Sequence, residues 1–274
     1  MKIWVAVFVL LSMVPIGSLA LLLTHGISGG RWGKDFAPVL VPAARAMPLL
    51  FLVFLPVVVF RPQIYDWSAL KLPHDVYAYY LNPPFFDART LVGLALWSAM
   101  AWGAPWRNPA LAGIGLSVHF VLMMFLPADW VLTLAPGSVS AGFGMGFGIE
   151  QMFAALALVA VLAPQEAGRS TRDLAGLVVS TLLGVVYFMY MAFLITWYGN
   201  VPEKIHWYVV RAGTGWPSVM LAAFLIGAVV PFLAVLSPAV RREPRLLRLV
   251  GLLALFGIVL HAIWLILPGD VHAG

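Results

Sequence analysis

Cysteine is absent from all 274 residues of this chain, and charge is scarce, at 10% of the residues. Without cysteine there is no disulfide, no thiolate-held iron–sulfur cluster and no covalently attached c-type haem, so a redox cofactor would have to be held by histidines. Soluble domains carry about 25% charged residues. A hydrophobic share of 62% and a mean hydropathy of +0.97 therefore indicate an integral membrane protein.

The period-two alternation of a transmembrane barrel is also missing, so the long apolar runs are predicted to be membrane helices. Each run is close to the roughly 20 residues that span a bilayer core. About eight spans are predicted, and four on each side of Pro136 favour two four-helix bundles, 1–135 and 136–274, in one polytopic all-α membrane domain. The first run is long for a signal peptide and is interpreted as a retained helix. The predicted spans are residues 3–23, 38–60, 85–105, 110–126, 140–163, 174–198, 217–238 and 247–267.

Positive charge is distributed unevenly between the two ends of these spans. Three long loops, 61–84, 127–140 and 199–216, fall on one side, which we call the loop face; short turns fall on the other side, which we call the basic face. Nine Lys and Arg residues lie on the basic face, against six opposite. The positive-inside rule then predicts that the loop face and both termini point outward, and the net charge of +5 reflects topology, not nucleic-acid binding. The nine are Arg31, Lys34, Arg107, Arg169, Arg172, Arg241, Arg242, Arg245 and Arg248.

Alternating glycines open the fifth predicted span, at Gly142, Gly144, Gly146 and Gly148. They resemble fragments of a nucleotide-binding fingerprint, but no predicted strand precedes them. Small residues in a membrane helix let neighbouring backbones approach closely, so the prediction is close helix packing.

Aromatic side chains are concentrated at the end of the sixth predicted span. Such rings are suited to the boundary between lipid and water. Gly199, Asn200 and Pro202 are residues that stop a helix, so a structured turn at the membrane surface is predicted here. The aromatic residues are Trp197, Tyr198, Trp207 and Tyr208.

A series of short motifs runs in order through most of residues 60–268. In the N-terminal half they are Leu81-Asn82-Pro83-Pro84-Phe85-Phe86 with Arg89, and Asp129-Trp130-Val131-Leu132-Thr133-Leu134-Ala135-Pro136. In the C-terminal half they are Arg172-Asp173-Leu174, Trp197-Tyr198-Gly199-Asn200-Val201-Pro202-Glu203, Trp207-Tyr208 with Arg211, Gly215-Trp216, Pro231-Phe232 and Trp264-Leu265-Ile266-Leu267-Pro268. This series resembles the F subunit of bacterial alternative complex III.

The resemblance implies a quinol-oxidoreductase membrane subunit with two four-helix bundles in a bacterial inner membrane. The outward side that the positive-inside rule predicts for both termini is then the periplasm. The resemblance also implies that this chain binds no cofactor, while quinol, iron–sulfur clusters and c-type haems belong to partner subunits. The implied partners are an iron–sulfur or molybdopterin-like subunit, a sister quinol-binding membrane subunit, c-haem subunits, lipids and a terminal oxidase. The chain is shorter than the usual subunit of that family. It also departs from the family pattern at Lys204, where a second acid is common, and at 260–263, which is less acidic.

Ionisable residues inside predicted spans are the candidates for function, because a charge at a helix centre costs about 2.5–3.5 kcal/mol. Glu150 lies about 15 Å into its span by helix rise. Three roles are open for it: a proton relay, a structural polar pair with a neighbouring helix, or a contact to quinol.

His119 and His261 also lie on predicted spans, and imidazole is the usual axial ligand of a b-type haem. By helix rise their depths differ by about 8 Å, which a shared iron would tolerate poorly. Buried hydrogen-bonded histidines or proton carriers are therefore predicted, and no metal site.

The remaining candidates lie nearer the two faces. Arg45, about 10 Å from the basic face by helix rise, either extends to that face or joins a proton route. Asp129 either accepts a proton from quinol or bonds the backbone of its loop. Asn200, Glu203 and Arg211 either contribute to a quinol-side site or organise the loop face.

The leading hypothesis is a membrane subunit of a quinol-oxidising respiratory complex, structural and proton-conducting, with no catalytic residue. Its predicted proton route uses hydrogen bonds and water. The alternative is a secondary transporter with a buried polar substrate site, although the sequence lacks the matching pair of broken spans that would mark one. The residues of the predicted route are Glu150, His119, Tyr187, Tyr190, His261 and Arg45.

Overall fold

The computed structural model of the chain describes residues 1–68, 79–135, 140–163, 169–200, 202–213 and 215–268. Within these ranges the backbone is predominantly α-helical and contains no β-strand. The predicted fold class, an all-α integral membrane protein, is confirmed. The principal helices are α1 (Ile3–Ser28), α2 (Trp32–Arg45), α3 (Leu49–Val59), α4 (Pro83–Gly103), α5 (Pro109–Val131), α6 (Phe143–Leu162), α7 (Arg169–Gly199), α8 (Pro202–Ala212), α9 (Trp216–Leu236) and α10 (Pro244–Ile266).

The number of membrane spans differs from the predicted count. Among the described residues, six helices are long and apolar enough to cross a membrane, or up to seven if α2 and α3 count as one span bent by 41°. The bend precedes Pro48, and a proline disfavours helical geometry in the residue before it. Helix α4 has 21 residues but is not one of these six, because Asp87 and Arg89 near its start lower its mean hydropathy. About eight spans is therefore not confirmed.

Local capping signals set the starts of three helices. Asn82 before α4 accepts a hydrogen bond from the Phe85 amide at 3.0 Å, and Asn108 before α5 accepts one from the Ala110 amide at 2.9 Å. Glu243 caps α10 in the same way. Proline follows each cap, at the first helical position, where its missing amide proton costs nothing.

Helices α1 and α6 form the centre of the molecule and pack against each other. Helix α1 also contacts α2, α3 and α5, while α6 contacts α5, α7 and α10. The N-terminal and C-terminal halves of the chain therefore meet through α1 and α6, which are the most buried of the candidate spanning helices. The division into two four-helix bundles, 1–135 and 136–274, stays a prediction.

Glycine permits the close crossing of α1 and α6. A Cβ atom added at Gly17 would lie 1.9 Å from the carbonyl oxygen of Gln151. Along α6, a Cβ at Gly144 would lie 1.9 Å from the Met123 carbonyl oxygen of α5, and one at Gly146 would lie 2.9 Å from Phe188 Cβ of α7. The prediction that the glycines of α6 serve helix packing is confirmed at these two positions.

We expect Gly17→Ala to lower the free energy of unfolding by about 1–3 kcal/mol, because the added methyl group forces the two central backbones apart. The matched control is Gly113→Ala on α5, where nothing lies within 4 Å of the added atom. Alanine favours a helix by up to about 1 kcal/mol over glycine, so the control should be neutral or stabilising. Denaturant titration in mild detergent measures both, and equal midpoints for the two variants would contradict this account of the crossing.

Side chains join distant segments on the loop face. The Tyr65 hydroxyl donates to the Trp130 carbonyl at 2.9 Å, and Lys2 Nζ donates to the Pro268 carbonyl at 3.2 Å. Burial raises the pKa of Tyr65 well above its usual value, with Asp129 contributing in the same direction. The loop face is thus tied to the ends of α1, α5 and α10.

The segment predicted as a surface turn after Trp197 contains a turn and then a helix. Asn200 has φ +43°, a left-handed conformation that asparagine tolerates, and it ends α7. Helix α8 then runs for 11 residues. The sequence analysis did not predict this helix, because Gly199 and Pro202 were interpreted as residues that end helices. Proline in the first turn is, however, compatible with the start of a new helix.

Candidate functional site

Glu150 of α6 and His261 of α10 are in direct contact inside the helix bundle. His261 Nδ1 lies 2.6 Å from Glu150 Oε1, at hydrogen-bond distance. Glu150 is 4% exposed, and the His261 side chain is 13% exposed. Helices α6 and α10 pack closely along their length, since a Cβ added at Gly251 of α10 would lie 2.6 Å from the Ala157 carbonyl oxygen, about two turns from Glu150 and nearly three from His261. Two groups that each bind and release a proton are therefore held together within membrane-spanning helices.

A narrow crevice of about 40 Å³ opens beside this pair, between α6, α7, α9 and α10. Glu150 and His261 are its ionisable groups, and the other lining side chains are apolar or absent. A polar site needs about 10–15 Å³ of such space to hold a water molecule, so the crevice is large enough for water beside the pair. The apolar wall includes Leu182, Val186, Met189, Met220, Phe224 and Ile258.

Helix α9 changes its hydrogen-bonding pattern where it lines the crevice. Residues Leu225–Val229 form a π-helical turn, a feature common at functional sites. Gly227 in this turn faces Gly257 of α10, and a Cβ added at Gly257 would lie 2.2 Å from Gly227 Cα. The irregular turn and the backbone contact together form the wall of the crevice next to His261.

An aromatic network connects His261 with the loop face. The His261 ring stacks on Trp264 with centroids 6.1 Å apart, and Trp264 meets Trp207 of α8 edge-on at 5.2 Å. The Arg211 guanidinium lies 3.7 Å from the Trp207 ring centroid. His261 is thus held by a stack that begins on the surface helix α8.

Arg211 fastens α8 to the end of α10. It is 6% exposed and donates to the Leu265 carbonyl at 2.8 Å and to the Trp264 carbonyl at 3.3 Å. Carbonyls in the last turn of a helix lack partners in their own helix, and a cation there also complements the helix dipole. Arg211 lies on the loop face, and organising that face was one of its two predicted roles.

Asp129 is the centre of a second buried polar cluster. It is 1% exposed, and its carboxylate accepts hydrogen bonds from Arg89 Nε at 2.7 Å and from the Tyr80 hydroxyl at 2.9 Å. Burial, followed by the effect of Asp129, raises the pKa of Tyr80 to about 12. From the sequence, Asp129 was predicted either to accept a proton from quinol or to bond the backbone of its loop. In the structure its carboxylate oxygens accept hydrogen bonds from the side chains of Arg89 and Tyr80. Arg61 and Asp87 form a further ion pair on this face.

No hydrogen bond among the described residues links the rest of the predicted proton route to the Glu150–His261 pair. His119 is buried on α5 and accepts a hydrogen bond at Nδ1 from the Trp97 indole, at 3.1 Å. Tyr187 and Tyr190 are 56% and 59% exposed on the outer surface of α7. Arg45 lies over the ring of Trp102, 5.4 Å from its centroid, at the end of α2.

Gln151 is a polar residue that the predicted route did not include. It is fully buried between α6 and α1, and neither atom of its amide group has a hydrogen-bond partner among the described residues. The buried Ser18 hydroxyl on α1 is in the same condition. Buried polar atoms normally have hydrogen-bond partners. A glutamine within an apolar run was therefore the sequence signal that could have marked Gln151 as a candidate functional residue.

Other predicted features are only partly described. The side chain of Glu203 lies outside the described residues, while Asn200 lies at the exposed end of α7. No group of three or more His, Asp or Glu residues that could hold a metal occurs in the described part of the chain. The expectation that quinol, iron–sulfur clusters and c-type haems belong to partner subunits stays a prediction.

The fold and the site define a polytopic α-helical membrane protein with a buried carboxylate–imidazole pair. No protein-family model matches this sequence, and no curated protein matches it either.

Proposed function

We propose that this chain is a proton-relaying membrane subunit of a quinol-oxidising respiratory complex and binds no redox cofactor itself. The observation that carries the proposal is the 2.6 Å contact between Glu150 and His261 beside a crevice within the membrane helices. Placing an ionisable group in a membrane interior costs free energy, and such groups commonly mark proton and ion pathways. A pair of them in contact therefore favours a functional role.

The pair is suited to passing a proton in two steps. It can exist as carboxylic acid with neutral imidazole or as carboxylate with imidazolium, and these forms differ by one proton moved between Oε1 and Nδ1. His261 Nε2 and Glu150 Oε2 remain to exchange protons with water on either side. Uptake of a proton by one residue and release of a proton by the other return the pair to neutrality, and between the two events the pair carries one unit of charge.

The respiratory assignment is supported by the chemistry of quinol oxidation and by the ordered motifs. Quinol releases two protons with its two electrons, and a subunit without redox groups can carry such protons while sister subunits carry electrons. The motifs that resemble the F subunit of alternative complex III include Arg89 and Asp129 of the second polar cluster and Arg211 and Trp264 of the aromatic network. We accordingly place the partner subunits at the loop face, in a bacterial inner membrane with both termini in the periplasm.

Purification from native membranes tests this assignment. A chain tagged at its N-terminus should co-purify in fixed stoichiometry with subunits that carry c-type haem and iron–sulfur clusters, visible in absorption and electron paramagnetic resonance spectra. The control is a tagged unrelated polytopic protein at equal expression. Isolation of this chain alone, under conditions that keep other respiratory complexes intact, would refute membership in such a complex.

The second candidate function is a proton-coupled secondary transporter. The observation that favours it is the π-helical turn of α9 beside Glu150 and His261, because transporters often place their binding sites at interrupted membrane helices. Such a protein would be active alone. Solute uptake driven by a pH gradient in proteoliposomes that contain only this chain would favour the transporter over the respiratory subunit.

A further inference from the structure

A second cavity, of about 290 Å³, lies on the basic face, where α6 ends and α10 begins. Its volume is roughly ten times the share of one water molecule in the liquid, about 30 Å³. It is lined by Arg245 and Arg248 of α10, by Glu243 and Pro244 at the start of that helix, and by Ala160 and Ala163 at the end of α6. The cavity therefore combines room for a headgroup with basic side chains.

Basic side chains outnumber acidic ones among the described residues of this cavity. Arg245 and Arg248 line it together with one acid, Glu243, and Arg241 and Arg242 immediately precede it in the chain. Glu243 Oε1 accepts a hydrogen bond from the Arg245 amide at 3.3 Å, so it is used as the helix cap. In the described part of the chain none of these four arginines forms a salt bridge. Arginine binds phosphate in a bidentate way, and the N-terminus of α10 adds its own positive potential.

An apolar stripe continues from the cavity along the same face of α10. Arg245 and Arg248 are exposed, and exposed apolar residues follow at helical spacing toward the membrane centre. The stripe is long enough to lie beside much of an acyl chain, because its members span three helical turns. The stripe consists of Leu249, Leu252, Phe256 and Val259, which are 56%, 47%, 52% and 37% exposed.

We propose that this surface binds one anionic phospholipid, with its phosphate at Arg245 and Arg248 and an acyl chain along the stripe. A soluble phosphate would be satisfied by the cavity alone, whereas the joined cationic pocket and apolar stripe match both ends of an amphiphile. Basic pockets between membrane helices recognise anionic headgroups in this way. This site is separate from the Glu150–His261 pair and does not depend on the proposed function.

Native mass spectrometry of the full-length delipidated protein in detergent tests the proposal. Titration with phosphatidylglycerol should give one tightly held lipid, and phosphatidylcholine should bind at least tenfold more weakly. A surface arginine is worth about 1 kcal/mol toward anionic lipid, so R245Q/R248Q should weaken phosphatidylglycerol binding roughly 20- to 30-fold. R245K/R248K keeps the charge without the bidentate geometry and should bind phosphatidylglycerol with an affinity between those of the parent protein and R245Q/R248Q. The matched control is R107Q, an exposed arginine on the same face but outside the cavity, which should bind as the parent protein does.

Three results would overturn the proposal: unchanged phosphatidylglycerol binding in R245Q/R248Q, equal binding of phosphatidylcholine by the parent protein, or displacement of the lipid by millimolar inorganic phosphate. The last would reassign the cavity to a soluble anion. Circular dichroism and gel filtration establish that each variant is folded. If the double variant does not fold, R248Q alone decides, with a roughly fivefold weakening expected.

Discussion

Replacing Glu150 by glutamine is expected to reduce the proton movement coupled to quinol oxidation by at least tenfold in the reconstituted complex. Glutamine preserves the shape of the side chain and can still accept a hydrogen bond from His261 Nδ1, but it cannot take up a proton. Positioned proton-transfer groups contribute about 10²- to 10⁴-fold to rates, so a loss of at least tenfold is a conservative expectation. Proteoliposomes with an internal pH dye and an external electron acceptor measure the effect.

Several variants distinguish a proton relay from a structural contact at this pair. Glu150→Asp keeps the carboxylate and should retain part of the proton movement, while His261→Gln should lose as much as Glu150→Gln. Tyr190→Phe removes an ionisable group from the exposed surface of α7 and is the control, expected to be without effect. If Glu150→Gln assembles normally and pumps as the parent complex does, the relay through this pair is wrong.

The test also separates this pair from the longer route predicted from the sequence. His119 is bonded to Trp97, so His119→Gln should leave proton movement unchanged if the pair acts without it. A loss as large as that of Glu150→Gln would instead restore His119 to the route.

Replacing Arg89 by leucine is expected to destabilise the protein by about 3–5 kcal/mol, the usual cost of leaving a buried charge without its partner. Asp129 would remain 1% exposed with only the Tyr80 hydroxyl as a side-chain partner. Leucine would also remove the guanidinium that lies 4.0 Å from the Tyr80 ring centroid and 4.4 Å from that of Phe85. Unfolding in mild detergent, followed by tryptophan fluorescence or circular dichroism, measures the loss.

A matched control exists on the same face. Arg61 also pairs with an acid, Asp87, but both side chains are more exposed, at 17% and 20%, so Arg61→Leu should cost less than Arg89→Leu. Restoring charge balance in Arg89→Leu/Asp129→Asn should recover part of the lost stability, because the neutral amide removes the unpaired charge. Equal losses for the two single variants would show that burial of Asp129 does not determine the cost.

The apolar runs were sufficient to predict the helical class, whereas the caps at Asn82 and Asn108 were found only in the structure. The glycines of α6 also allowed close packing to be predicted, because a residue without a side chain lets a neighbouring helix approach whatever the rest of the fold. The exact helix bounds and the bend between α2 and α3 could not be predicted from the sequence, since prolines such as Pro48 are compatible with either a loop or a kink.

The partner of Glu150 could not be chosen from the sequence. His119 and His261 are both histidines in apolar runs, and depth by helix rise does not establish which helices are neighbours. The observed choice of His261 depends on the packing of α6 against α10, which joins residues 111 positions apart. Likewise, the ion pair of Asp129 with Arg89 depends on how α5 lies against α4. Side-chain pairing between helices is a property of three-dimensional register, and no local pattern encodes it.

The contact between Gly227 and Gly257 limits how the crevice can change in volume. Helices α9 and α10 meet there backbone to backbone, so neither can move closer to the other, and separating them would lose the tightest packing on that side. Helix α10 is fixed in turn at its end by Arg211. Helix α7, the remaining wall, contacts α10 much less but packs closely against α6, where a Cβ added at Gly184 would lie 2.9 Å from Ile149 Cγ2. The width of the space beside Glu150 is therefore set by two close helix contacts, α9 with α10 and α6 with α7.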